Sequence, residues 1–361
     1  MLTSRLCNIL KSHLASSFNI LTVTFTNKAA SEMKSRIEKM LGTSTAGWWI
    51  GTFHSMGARI LRKHPEVVGL KKQFTIIDVD DQIRVIKQVL SYHDIDEKRW
   101  PAKNLNNIIQ RWKDRGCNPE NVDEFGKNFG NNKGVDLYYS YQARLKSLNV
   151  VDYGDLLLQN INIFKNQPDI LESYQNKFKY ILVDEYQDTN FCQYNWLNML
   201  AKKYNNICVV GDDDQSIYSW RGADVTNLLN FEKNFENVKI VRLEQNYRST
   251  RNILSCASTL IAKNKGRYGK ELWSKNQIGE KITINGFWET KEESIFVTDK
   301  IENIIKEKKN LSEISILFRV AAHTRSFEER LINLGLPYKI IGGLRFYERK
   351  EIKDIIAYLR L

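Results

Sequence analysis

Short apolar runs punctuate this chain, and each closes on polar residues that open a helix. Ile20-Leu-Thr-Val-Thr-Phe25, Trp48-Trp-Ile50, Tyr180-Ile-Leu-Val183, Ile207-Cys-Val-Val210 and Lys239-Ile-Val-Arg-Leu243 all have the length and the β-branched or aromatic content of strands. Such runs, separated by helical periodicity, predict an α/β fold built on a parallel sheet. Ligands of such sheets sit at the carboxyl ends of the strands. Here those ends read Thr26-Asn27-Lys28, Gly51-Thr52-Phe53-His54, Asp184-Glu185, Gly211-Asp212-Asp213-Asp214-Gln215 and Glu244-Gln245-Asn246-Tyr247-Arg248. One edge of the sheet is expected to gather the chemistry.

The texture changes between residues 75 and 170, where helical periodicity with many Asn and Lys predicts a helical insertion. Leu145, Leu148, Leu156, Leu157 and Leu158 are its expected core, and Phe125 to Gly134, rich in Asn and Gly, its expected mobile loop. The predicted organisation is then a first α/β domain from residues 1–74 and 171–249, the insertion at 75–170, and a second unit at 250–361. That unit is expected to open with a helix from Arg251 to Asn264 and to hold strands at Lys281 to Ile284, Ile314 to Phe318 and Tyr338 to Ile341. The first helix, with Leu2, Leu6, Ile9, Leu10 and Leu14 on one face, starts at Met1 without a capping residue or a preceding strand, and reads as a cut end.

Composition narrows the partners. A net charge of +12 and a pI near 9.3 favour a polyanion such as nucleic acid, with a simple solubility surplus as the alternative. Five scattered cysteines with no C-x-x-C pair suggest neither a disulfide framework nor a zinc site, and fit a reducing cytoplasm. No apolar run reaches the roughly 18 residues that a membrane span requires.

Candidate chemistry centres on Asp184 and Glu185, delivered by four apolar residues. Such a pair suits a Mg²⁺-nucleotide site: one acid holds the metal through water, the next activates the attacking water. Gln215, which can donate and accept, suits a γ-phosphate sensor, although an Asp-rich capping turn explains the same segment. Tyr247 could stack on adenine and Arg248 neutralise γ-phosphate charge; a pair between Arg248 and Glu244 is the structural alternative. Phe25, Tyr218 and Trp220 are aromatics among polar loop residues, the composition that grips single strands by base stacking.

Six segments together resemble superfamily 1 DNA helicases of the UvrD/PcrA/Rep type. They are Thr24 to Ala30, Gly51-Thr-Phe-His54, Val183-Asp-Glu-Tyr-Gln-Asp-Thr189, Gly211-Asp-Asp-Asp-Gln-Ser-Ile-Tyr-Ser-Trp-Arg-Gly222, Leu243-Glu-Gln-Asn-Tyr-Arg-Ser249 and Phe346 to Asp354. The resemblance implies a RecA-like (P-loop NTPase-type) first domain and part of a second RecA-like domain. It makes Asp184 the Mg²⁺ residue, Glu185 the general base, Gln215 the nucleotide sensor, and Tyr247 and Arg248 ATP contacts. DNA contacts would fall to Phe25, Asn27, Thr52, Phe53, His54, Tyr218, Trp220 and Arg221, and to Arg349 within a basic stretch with Arg345, Lys350 and Lys353. The implied activity is ATP-dependent 3′ to 5′ translocation and unwinding, on single-stranded DNA and at single/double-strand junctions.

The resemblance has one gap. No G-x-x-x-x-G-K-[ST] phosphate loop occurs in the sequence: Gly126-Lys127 and Gly269-Lys270 lack the upstream glycine and the following hydroxyl residue. The chain is therefore expected to be an internal piece of a helicase, weak or inactive in ATP hydrolysis by itself, working with the missing segments in trans. The alternative is a non-catalytic single-strand-binding module or regulator.

Overall fold

The computed structural model describes residues 1–307, 310–341 and 350–359. They form two compact units, Met1–Arg248 with Leu254–Lys275, and Ser249–Ile253 with Asn276–Leu361. The strands described are β1 (Ile20–Thr24), β2 (Trp49–Thr52), β3 (Thr75–Ile76), β4 (Val150–Val151), β5 (Tyr180–Val183) and β6 (Ile207–Val209). Four make one sheet in the order β2-β1-β5-β6, parallel throughout, while β3 and β4 pair separately. The expected parallel α/β architecture is present.

Strand alternation feeds two cores. Leu21, Val23, Ile181 and Val183 face one side, with Phe53, Ile60, Leu157 and Trp196. Ile20 and Leu182 face the other, with Leu2, Leu6, Cys7, Ile9, Met33 and Ile37. Leu14, expected on the buried face of the first helix, lies beyond that helix's end at Lys11 and is exposed. Hydroxyl caps turn strand into helix twice: Thr26 accepts from the Ala29 N–H at 3.1 Å, and Thr52 from the Ser55 N–H at 3.2 Å. Each cap stabilises its helix by about 1 kcal/mol.

Four expected strands are absent. Lys239 to Leu243 is irregular, with Ile240, Val241 and Leu243 exposed. β6 pairs on one side only, and no described strand lies beyond it to offer that run a ladder. In the second unit, residues 281–284, 314–318 and 338–341 form no strand either, and Ile284 and Leu317 are largely exposed. A strand forms only against a neighbour that takes its backbone hydrogen bonds, and no described residues supply one there. This unit is instead described by the helices Thr290–Lys306 and Arg325–Asn333, with Ile301, Phe327 and Leu331 buried.

The region between β3 and β5 is helical as expected, but its core differs. Ile86, Leu105, Ile109, Trp112, Leu137, Tyr138, Tyr141 and Leu145 form it. Leu148 is exposed, and Leu156, Leu157 and Leu158 belong to the core under the main sheet. The Asn/Gly segment is folded in, not loose: Phe129 buries into the helical core and packs on Trp100 at 5.0 Å.

One buried ionic cluster ties these helices to the rest. Lys113, on the helix Ala102–Asp114, has no solvent exposure, and its Nζ lies 2.7 Å from Asp152 and 2.8 Å from Asp155. Tyr141 and Gln110 donate to Asp152 at 2.9 and 3.0 Å, and Gln142 to Asp155 at 3.0 Å. Lys113→Met should cost about 3–5 kcal/mol, because it strands two buried carboxylates. Urea unfolding followed by circular dichroism measures it.

Candidate nucleotide and DNA site

Register builds the site. Val23 lies beside Val183, Thr24 beside Thr52, and Val183 beside Val209, so the carboxyl ends of all four strands finish together. The Asp184 N–H donates to the Val23 carbonyl at 2.9 Å and fixes the acid pair at that edge. Burial, then the adjacent Glu185 charge, pushes the Asp184 carboxyl above the usual range. Glu185 is exposed and sits in left-handed backbone, φ 54°. For a residue with a Cβ this costs about 1–2 kcal/mol, strain of the kind that gathers at functional positions.

Gln187 holds that strained residue in place. It is 1% exposed, donates to Glu185 Oε2 at 2.8 Å and accepts from the Asp212 N–H at 3.0 Å. Gly211 lets the loop approach closely, since a Cβ there would meet Gln187 Oε1 at 2.9 Å and displace the bonded amide. The sequence reading gives Gln187 no role, although it lies within the Val183 to Thr189 segment; the structure buries it together with its neighbours Tyr186 and Asp188. Gln215 lies on the same loop and donates to Asp212 Oδ2 at 2.7 Å.

Asp212, Asp213 and Asp214 bring carboxylate oxygens within 4.8 Å of one another. Protein cations already occupy them. Arg267 donates twice to Asp214, at 2.8 and 2.6 Å, Lys270 pairs with Asp212 and Asp214, and the Tyr268 N–H donates to Asp213 at 2.9 Å. Residues 267–270 thus strap the loop that carries Gln215, which the sequence did not suggest.

Phe25, Tyr218 and Trp220 form a row, with ring centroids 5.2 Å apart for the first pair and 6.4 Å for the second. Trp220 is 64% exposed. Asn27 is exposed at the start of its helix, and Arg221 ends the short turn Ser219–Arg221. Thr52 is buried and spends its hydroxyl as a cap. Phe53 is a core residue, edge-on to Trp196 at 6.2 Å, so its ring has no face to offer a base. His54 packs edge-on to Tyr153, and burial pulls its imidazole down to about 4, leaving it neutral near pH 7. Tyr247 is exposed, with its hydroxyl donating to Gln245 at 2.7 Å. Arg248 is exposed and makes no ion pair with Glu244 among the described residues. Arg349, with Arg345, lies outside the described residues.

Two family models divide the chain between them: the UvrD/REP helicase N-terminal domain matches residues 1–236, and the UvrD-like helicase C-terminal domain matches residues 241–361. The chain belongs to the UvrD/Rep helicase family. It is 51% identical over its full length to a probable DNA helicase II homolog of Rickettsia felis, of which it covers 56%. It is 44% identical, again over its full length, to the ATP-dependent DNA helicase PcrA of Bacillus subtilis, of which it covers 49%. The chain thus spans about half the length of the curated relatives it matches.

The acids of this UvrD/Rep chain fit a divalent cation. Asp184, Glu185 and Asp188 have no ion-pair partner among the described residues. Burial, then Glu185, raises Asp188 to about 6, and its Oδ1 is buried without a hydrogen-bond partner. A cation near these groups would offset both the burial and the mutual repulsion.

A further acid reaches the site from the helical region. Asp114 Oδ1 accepts from Asn190 Nδ2 at 2.7 Å, and a Cβ on Gly222 would sit 3.3 Å from Asp114 Oδ2. Asn190 and Ala223 bridge the two segments directly.

Two outcomes follow from these contacts. Gln187→Ala should cut the tie between Glu185 and the Asp212 loop, and amide exchange at Asp212 should then accelerate while β1 and β5 stay protected. Burial, then Asp152, raises Asp114 to about 7, so the native state keeps a proton that the unfolded chain releases near pH 4. Native stability is therefore lost as pH rises from about 4 to about 7, and the penalty persists above that. Asp114→Asn removes it, so the melting temperature of the variant relative to wild type should climb between pH 5 and 8.

Proposed function

We propose that this chain is the motor portion of an ATP-driven 3′ to 5′ DNA translocase and helicase, acting on single strands and on single/double-strand junctions in the cytoplasm. One observation carries the reading. Gln187 joins Glu185 to the Asp212 loop, which carries Gln215 and runs directly into the Tyr218 and Trp220 rings. A nucleotide-side residue and a base-stacking row therefore share one hydrogen-bonded segment. Residues 1–74 and 171–249 act as the first RecA-like domain, 75–170 as the insertion, and 250–361 as part of the second.

In this reading Asp184 would hold Mg²⁺, which when bound would supply charge neutralisation to the ATP phosphates. Glu185 accepts a proton from the attacking water, with Gln187 fixing the carboxylate. Arg248 faces the γ-phosphate and Tyr247 the adenine. Phe25, Tyr218 and Trp220 stack bases, while Asn27, Thr52, His54, Arg221 and Arg349 contact the strand backbone; for Thr52 that contact runs through its backbone, since the hydroxyl is committed.

The absence of a G-x-x-x-x-G-K-[ST] loop from these 361 residues favours a dependent role. Residues 1–361 alone bind single strands but hydrolyse ATP poorly, and turnover needs a phosphate cradle supplied by another segment, in cis or in trans. A regulator that binds single strands without hydrolysis is the second reading, favoured by the same absence.

Anisotropy with labelled oligothymidylate tests the interface. Trp220→Ala and Tyr218→Ala should each weaken binding roughly 5- to 150-fold, the loss expected for one stacked base. Unchanged affinity in both would sink the stacking row. DNA-stimulated ATPase from residues 1–361 alone, abolished by Glu185→Gln, would show instead that the motor is self-sufficient.

A further inference from the structure

The end of the sheet opposite the chemistry collects positive charge around one ring. Trp49 opens β2 and has no solvent exposure. The Arg59 guanidinium lies 4.0 Å from its ring centroid, Lys177 Nζ 4.9 Å and Lys63 Nζ 5.7 Å. Arg59 and Lys63 come from the helix Phe53–Leu61 and the turn after it, and Lys177 ends the helix that leads into β5. Because the strands are parallel, this cluster sits at their amino ends, about 10 Å of strand away from Thr52 and Asp184.

None of the three cations has a carboxylate partner among the described residues. Glu66, on the following turn, acts on His64 and pairs with neither lysine. Burial, then the charges of Lys63 and Arg59, hold the Lys177 ammonium below its usual range. Methylene packing explains why long side chains cover an indole. It does not explain three charged heads gathered without a counter-charge, an arrangement that an incoming anion would relieve.

Local chemistry narrows the anion. Arg59 donates from both terminal nitrogens to the Trp48 and Gly47 carbonyls, at 2.9 Å each, which anchors its guanidinium against Trp49 and leaves the two lysines as the heads that meet an incoming anion. Trp49 is covered and offers no face to a base, and the charges converge on one point instead of following a strand. Lys63, which is exposed, and Lys177, which is half-buried, keep their donors for point-charge contacts. We propose that Lys63 and Lys177, beside Trp49 and the anchored Arg59, form a docking point for a carboxylate-rich peptide segment of a protein partner, on the opposite end of the sheet from the nucleotide and DNA edge.

Fluorescein-labelled hexaglutamate, titrated at low salt against the full chain, is the probe. Lys63→Gln with Lys177→Gln keeps the stems over Trp49 and removes the charge. This variant should bind the peptide about tenfold more weakly and oligothymidylate as tightly as wild type. Lys63→Arg with Lys177→Arg should restore peptide binding. The melting temperature of the Gln variant at low salt should equal or exceed that of wild type, since it relieves the repulsion. Unchanged peptide affinity in the Gln variant would overturn the proposal. So would parallel loss of peptide and oligonucleotide, or displacement of the peptide by oligothymidylate, since either would make the cluster a nucleic-acid surface.

Discussion

The parallel pairing of β1 with β5 is the constraint on which the chemistry of this molecule rests. Leu182 faces one core while Ile181 and Val183 face the other, so a slip of one residue would turn every one of these side chains to the wrong side. The same slip would break the bond from the Asp184 N–H to Val23 and carry the acid pair away from the strand ends. Apolar burial therefore sets the position of the carboxylates.

Beyond the strand ends, position is passed on through a short turn, residues 186–190. Gln187 reaches the Asp212 loop, the Thr189 carbonyl accepts from the Asp224 N–H at 3.0 Å and from Asn227 Nδ2 at 3.1 Å, and Asn190 reaches Asp114. Asn190 also closes a capping box with Gln193 on the next helix. The turn that follows Glu185 is thus held from three directions. This rigidity is what allows a glutamate to remain at φ 54°, because strained backbone persists only where its surroundings over-determine it.

Much of this was legible in the sequence, and the exceptions share a cause. β1, β2, β5 and β6 show as apolar runs because the strands of a parallel sheet are covered on both faces. The acid pair and the row of aromatic rings show because strand ends and loop aromatics are local patterns. Gln187, Asp114, Arg267 and Lys270 were missed, since their roles depend on partners brought close only by the fold: Asp114 meets a residue 76 positions away, and Arg267 one 53 away. Phe53 is the reverse case. A motif fixes a residue's place in sequence, but Phe53 begins a helix whose inward face packs on Trp196. Residues 239–243 had strand composition without a strand neighbour, and composition cannot supply one.

Charge distribution separates two acidic groups that look alike in sequence. By spacing alone Asp212, Asp213 and Asp214 are the more obvious metal site, being three carboxylates within 4.8 Å. Yet the protein commits Arg267 and Lys270 to them, and the pairing holds Asp214 below the usual carboxylate range despite its burial. A cation placed there would have to displace two bound ones. At Asp184, Glu185 and Asp188, among the described residues, a chain with twelve surplus positive charges places no lysine or arginine at ion-pair distance, and Asp184 and Asp188 are both raised. In so basic a molecule, carboxylates without an ion-pair partner among the described residues, beside a strained glutamate, suit an external cation better than the strapped Asp212 to Asp214 group does.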